Sequence, residues 1–416
     1  EAYEASAYTD DTPDDELSMK VENLKTIFGK VRAVVRDMPN FHARIAQAEK
    51  YLATPAEGAP VEELSAALAA AKALDAATAR SNDYATASAA LENAIYEYMS
   101  FVLPIKDWNF NRQLSNELYN ISVDDYHRIA RWDGFNGVYM VDTYEVPEYV
   151  VVDGVRYNVV SMRNRNSYNQ DVISSLVLPK NLRRIEDNTF AGFRNLRSLD
   201  IPKSVEQIDG NIFGYYWGSG TDNLRDIYLH NEKPLESTEA YSSRRVHVPD
   251  GCFHTYRLSP TWNQCVIIPE TPVEVAVEVA DEGELGRLVL DKAGYLQEVN
   301  RLKVSGRLGN DDWSTLSQMT NLVYVDLSGV PNNAIPSYQF YNTWAMDSVC
   351  LPSKTEIIGN NAFENSGISE MKFPETLSTI GDKAFYSCKF MDNVVFPASM
   401  RSVGKNAFND NKNLKH

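Results

Sequence analysis

Asp200, Tyr228 and His247 are the side chains best suited to chemistry in this 416-residue chain, because each stands in the middle of a short apolar triplet: Leu199-Asp200-Ile201, Ile227-Tyr228-Leu229 and Val246-His247-Val248. Alternate side chains of a strand face opposite ways, so the flanking residues of each triplet enter a core and the middle one projects outward. An aspartate and a histidine on one such row suggest proton transfer. Neighbouring strands lie ~4.8 Å apart, however, and two steps separate Asp200 from His247 by roughly 10 Å, beyond hydrogen-bond reach. Tyr228 stands between them, and no serine or cysteine flanks His247 in the row. The outward row Val177, Asp200, Tyr228, His247 and Ile267 is therefore expected to be a binding face or plain solvated sheet, with no catalytic residue.

A second candidate is Tyr215-Tyr216-Trp217, followed by Gly218-Ser219-Gly220. Phe190 to Ile201 spans 11 residues, whereas Phe213 to the equivalent Leu229 spans 16, so this stretch carries five extra residues. Insertions of this kind form loops, and large aromatics beside glycines either contact a ligand or fold back over exposed core. The four cysteines show no CxxC spacing; Cys252 and Cys265 could pair, and free thiols are otherwise expected. Neither the six scattered histidines nor the acidic pairs Asp10-Asp11, Asp14-Asp15 and Asp311-Asp312 form a metal-ligand pattern, so no metal and no cofactor are expected.

What positions these residues is a repeat. Prolines fall at 179 and 202, then at 352, 374 and 397, and phenylalanines at 190 and 213, then at 340, 363, 385 and 408, with gaps of 22 or 23 within each group. One turn of the pattern reads Val349-Cys350-Leu351-Pro352, then Ile358-Gly359-Asn360-Asn361-Ala362-Phe363. The apolar triplet is a strand, proline ends it because it has no ladder donor, and Gly359, Gly381 and Gly404 are expected to let the backbone turn before phenylalanine re-enters the core. Phe190, Phe213, Phe340, Phe363, Phe385 and Phe408 should then form a buried stack. A fixed period of about 20 to 29 residues with one short strand each marks a leucine-rich-repeat solenoid, in which no repeat buries its apolar face alone.

The strand-proline, Ile-Gly and Asn-Ala-Phe phrases resemble those of the BspA-like leucine-rich repeat, over roughly residues 170–269 and 320–416. The resemblance implies a bacterial, Bacteroides-type protein of the gut or mouth, shown at the cell surface for adhesion or ligand binding and without enzymatic activity.

Three domains are expected: a helical bundle over 1–104, a capping hairpin plus first solenoid over 105–270, and a second solenoid over 271–416. The fold class is thus an α+β repeat protein, a solenoid in two segments preceded by an N-terminal α-helical bundle. Leu17, Val21, Leu24, Ile27, Phe28, Val31 and Val35 keep helical spacing from a cap at Asp14 or Asp15, Pro39-Asn40 breaks it, and Ile45, Ala48 and Leu52 resume it. Val61 to Leu74 and Ala87 to Tyr98 mark two more helices, the latter capped by Asn82 or Asp83. Residues 60–100 resemble FIVAR-like bundles, which implies a spacer or carbohydrate-contacting module; the plainer reading is a stalk. Asp153-Gly154 between valine-rich runs signals a hairpin, read as the opening cap. After Pro269 the period lapses: Val273 to Val279 alternates as a strand, Leu285, Leu288, Val289, Leu296 and Val299 suggest a helix, Leu302 and Val304 a strand, and Asp312 to Met319 a second helix.

Composition narrows function. Forty Lys and Arg against 57 Asp and Glu leave a net charge of −17, which argues against a nucleic-acid partner, and none is expected. No run approaches the roughly 18 apolar residues of a membrane span. The chain opens with Glu1 rather than Met, so a secretion or lipoprotein signal is expected to have been removed, together with any lipid anchor. Asn413-Leu414-Lys415-His416 stands in the frame of Asn195-Leu196-Arg197-Ser198, so a further strand is expected after residue 416. These readings make a noncatalytic surface protein, binding a host matrix protein, a microbial surface or a glycan; the alternative is a structural spacer or scaffold of a surface complex, possibly linked to glycan uptake.

Overall fold

The structure, a computed structural model, describes residues 14–56, 58–74, 79–136, 141–164, 172–214, 221 and 223–415. The chain divides into two compact units, one of Glu1–Asn136, Pro147–Met162 and Asn181–Arg183, the other of Gly137–Val146, Arg163–Lys180 and Arg184–His416.

The first unit begins with α1 (Asp14–Ala53), α2 (Val61–Lys72) and α3 (Ser81–Val102). The helix break expected at Pro39-Asn40 is absent: α1 runs through it, because one missing N–H leaves the rest of a 40-residue ladder to hold the axis. Phe41, Ala48, Leu64, Leu68, Leu91 and Ile95 form the core where the three helices meet, while Val21 on the N-terminal half of α1 is exposed. Asp83 caps α3 from its third position: its carboxylate accepts the Arg80 N–H at 2.7 Å. At the other end Arg183, itself buried, donates to the Ser100 and Leu103 carbonyls, which would otherwise be orphaned at the helix terminus. Asp153 (φ 51°) and Gly154 (φ 77°) make the expected two-residue hairpin, with Val152 opposite Val155.

The second unit contains three four-stranded sheets. In the first, β1 (Ser198–Ile201), β2 (Asp226–Leu229), β3 (Ser242–Val248) and β4 (Gln264–Pro269) are all parallel. The second is likewise parallel, running through β5 (Glu274–Val279), β6 (Arg301–Gly306), β7 (Tyr324–Gly329) and β8 (Ser348–Cys350). The lapse of the period after Pro269 marks the end of the first sheet; within the second, helices Leu285–Ala293 and Asn310–Gln318 replace the proline-phenylalanine turn, and the strands keep stacking. The first of these helices stops at Gly294 (φ 80°), so Leu296 and Val299, expected within it, lie beyond its end.

Behind the second sheet, Ala334–Ile335, Ile357–Ile358, Thr379–Ile380 and Ser402–Val403 form another parallel ladder. Phe340, Phe363, Phe385 and Phe408 stack face to face at 5.1, 5.0 and 5.1 Å, close to the strand spacing that sets their separation. Phe190 and Phe213 stand 6.2 Å apart in the first half, where Tyr241 and Trp262 continue the aromatic column edge to face.

The turn before five of the six phenylalanines works differently from expectation, while before Phe213 a glycine, Gly210 (φ 54°), is left-handed. In those five the left-handed residue is the one two places before the ring, Asn188, Tyr338, Asn361, Lys383 or Asn406, with φ between 52° and 63°. Gly359, Gly381 and Gly404 are not left-handed; they are small because the coils touch there, and a Cβ on Gly381 would sit 2.5 Å from Asn360 Oδ1. The next side chain joins coil to coil: Ser337 accepts the Asn360 N–H, Asn360 that of Asp382, and Asp382 that of Lys405, at 3.1, 2.9 and 2.7 Å.

Candidate functional site: the outward face of the first ladder

The register of β1 to β3 brings the predicted residues side by side, Tyr228 opposite Asp200 on one flank and His247 on the other. The Tyr228 and His247 rings lie nearly parallel, 4.3 Å between centroids and 15° between planes. Asp200 and His247 do not pair, as the spacing required. Each has another partner: the His230 Nε2 lies 2.8 Å from Asp200 Oδ1, and His247 Nε2 lies 2.8 Å from Asp226 Oδ1.

Asp226 is the hub that the triplet pattern missed, because it lies one place before the triplet, at the start of β2. It faces Arg245 across the ladder and takes the Arg245 Nε hydrogen bond at 2.7 Å, with a second bond from the other guanidinium nitrogen. Burial raises the Asp226 carboxyl, but the hydrogen bonds from His247 and Arg245 and their charges outweigh it, and the group ends below the usual carboxylate range. Burial, then the Asp226 carboxylate, pushes the Tyr228 phenol up.

The expected outward row does not extend to its two ends. Val177 is exposed, but its strand, Ser175–Val177, pairs with Thr143–Glu145 instead of with β1. At the other end His247 stands opposite Ile268, one residue beyond the expected Ile267, after a register irregularity between Ser242 and Arg245. Ile267 belongs to the core, and Ile268 is buried as well: it packs with Val266 against Val323, Ala345 and Trp344 of the second ladder's side. Tyr215, Tyr216 and Trp217 lie outside the described residues.

Asp226 and Arg245 also border a cleft of about 520 Å³, whose wall includes Arg197, Phe390, Asp392 and Lys415. The face thus combines a flat aromatic stack, two imidazole-carboxylate pairs and a guanidinium, all on rigid ladder positions. Among the described residues no serine or cysteine side chain hydrogen-bonds to either imidazole, and no three or more His, Cys, Asp or Glu gather as a metal site. All four cysteines are free thiols; Cys252 and Cys265, which could have paired, do not. Among the described residues no helix is long and apolar enough to cross a membrane.

Comparison with known proteins places these observations. The profile described as the BspA type leucine rich repeat region matches in six copies, over residues 161–242 and 333–416. Among curated proteins none matches the chain. Among solved structures, a leucine-rich repeat protein from Bacteroides ovatus is 16% identical with a TM-score of 0.28, over 73% of this chain and 93% of that one. A leucine rich cell surface protein from Faecalibacterium prausnitzii is 12% identical with a TM-score of 0.22, over 74% and 94%. The pneumococcal vaccine antigen PcpA is 12% identical with a TM-score of 0.21, over 74% and 87%. The matched repeats are those whose strand, left-handed turn and buried phenylalanine recur, and over residues 161–242 and 333–416 the chain carries BspA type leucine rich repeats.

Proposed function

We propose that the chain is a noncatalytic protein of a bacterial cell surface, in which a two-segment solenoid presents a binding face and a helical bundle serves as its stalk. In this reading the bundle spans residues 1–104, a capping hairpin and first segment 105–270, and a second segment 271–416. The ligand is a protein or glycan outside the cell, on a host matrix or another microbe.

The observation that carries the reading is the Tyr228–His247 stack between the Asp200–His230 and Asp226–Arg245 pairs, with Tyr228 38% exposed. Exposed aromatics held by rigid neighbours supply contact area at little entropic cost, and flanking charges supply direction. A saturable interaction with immobilised extracellular-matrix proteins or whole microbial cells is expected, weakened at least tenfold by Tyr228→Ala and Asp200→Ala. Deleting 215–220 tests the second candidate, the Tyr215, Tyr216 and Trp217 loop, in the same assay. Absence of saturable binding to every surface would favour a spacer or scaffold instead. Unchanged binding in both point variants, with binding intact in the parent, would move the site elsewhere.

A further inference from the structure

A groove of about 450 Å³ lies between the end of the first ladder and the coil that carries Phe340. Its lining is poor in charge: Arg257 alone of 19 residues is ionic, in a chain where 23% are charged. Arg257 spends one of its donors on the Asn263 carbonyl. The remaining polar groups are neutral, and several are unspent: among the described residues the Asn263 and Gln264 side-chain amides, Asn342 Nδ2 and the Thr320 hydroxyl have no hydrogen-bond partner. Trp344 contributes a half-buried ring to the same wall.

Tyr341 lines this groove, and Tyr338 stands edge to face against it, 5.8 Å between centroids. Tyr338 is the odd residue of its column. The equivalent left-handed positions carry Asn188, Asn361, Lys383 and Asn406, and a bulky ring at φ 63° is strained where asparagine is not. Packing does not account for it, since Tyr338 is 59% exposed and Tyr341 is 42% exposed. Strain kept at an exposed aromatic points to a contact made there.

We propose that the Tyr338–Tyr341 pair and the adjoining groove form a binding site for a neutral oligosaccharide. Aromatic faces take the C–H side of sugar rings, and unspent amides and hydroxyls meet their hydroxyls. An acidic sugar would find one guanidinium, Arg257, in the lining, and the net charge of −17 opposes it. The site is distinct from the face of the first ladder and does not depend on it.

Saturation-transfer NMR of the full chain with maltohexaose, cellohexaose, mannohexaose and xylohexaose tests the assignment. Transfer to the ring protons of at least one is expected, with affinity lowered at least tenfold in Tyr341→Ala and in Tyr338→Asn. The second variant restores the residue that other coils use, so it should melt at a higher temperature while binding less, which separates loss of the site from loss of fold. Tyr228→Ala should bind the sugar as the parent does. No transfer to any of the four sugars, or unchanged affinity in the Tyr338→Asn variant, would overturn the site; equal binding of a hexauronate would overturn the neutral class.

Discussion

Asn361 and Gly381 show how two small residues of one repeat carry different burdens. Asn361 adopts φ 58°, where asparagine costs little, and Gly381 has ordinary φ but no room for a methyl group. Gly381→Ala would press a Cβ against Asn360 Oδ1 and the Asn360 backbone nitrogen, 2.5 and 2.7 Å away, so a loss of about 1–3 kcal/mol is expected from urea unfolding. Asn361→Gly should change stability by only a few tenths of a kcal/mol, roughly within error. Asp226 makes a pH-dependent contribution. Its carboxyl titrates lower in the folded chain than in the unfolded one, so the stability it supplies is complete above the ordinary carboxylate range and is lost as pH falls through the folded value. Between pH 7 and pH 3 the urea midpoint of the parent should therefore fall more steeply than that of Asp226→Asn; parallel curves would show that the His247 and Arg245 bonds are not retained in solution.

At the scale of elements, the phenylalanine column stabilises the coils of the second half. Phe363 is fully buried with a ring against each face, at 5.1 Å from Phe340 and 5.0 Å from Phe385. Phe363→Ala should cost about 3–5 kcal/mol, read as a shift of the unfolding midpoint, because neighbouring coils cannot close the void without losing their own register. The same column explains why strands and rings were legible in the sequence: Leu-x-Leu and the recurring phenylalanine report burial locally, by alternation and period. The left-handed asparagines were in plain view too, at Asn188, Asn361 and Asn406, but glycine drew the turn assignment because its freedom is the commoner reason for its use. Pro39 misled for a similar reason. A helix-breaking residue weighs heavily in a short window and lightly inside 40 residues of ladder.

Across the second unit, Arg225, just before β2, joins the first sheet to the segment just before β8. Its guanidinium, buried, donates to Asp347 at 2.9 Å and to the Ala345 and Met346 carbonyls at 3.3 and 2.8 Å, and lies over the Phe390 ring. Burial, with the charge of Arg245, pushes it down to about 10 against the attraction of Asp347. Arg225→Ala would strip donors from two buried carbonyls, and a loss of about 1–3 kcal/mol is expected, with faster amide exchange at β8. Unchanged exchange there would remove Arg225 as the tie.

The sequence alone determined the repeating strand, its outward middle residue and the aromatic behind it, since these depend on alternation and on a period that adjacent coils must share. It also determined that Asp200 and His247 could not meet, because strand spacing is a constant of the sheet. Which groups they meet instead was decided in three dimensions. His230 and Asp226 lie outside the triplets, and the burial of Ile268 depends on Val323, Ala345 and Trp344, which are 55 or more residues further along the chain. Local pattern records which face of a strand is apolar; only the tertiary structure records what comes to lie against it.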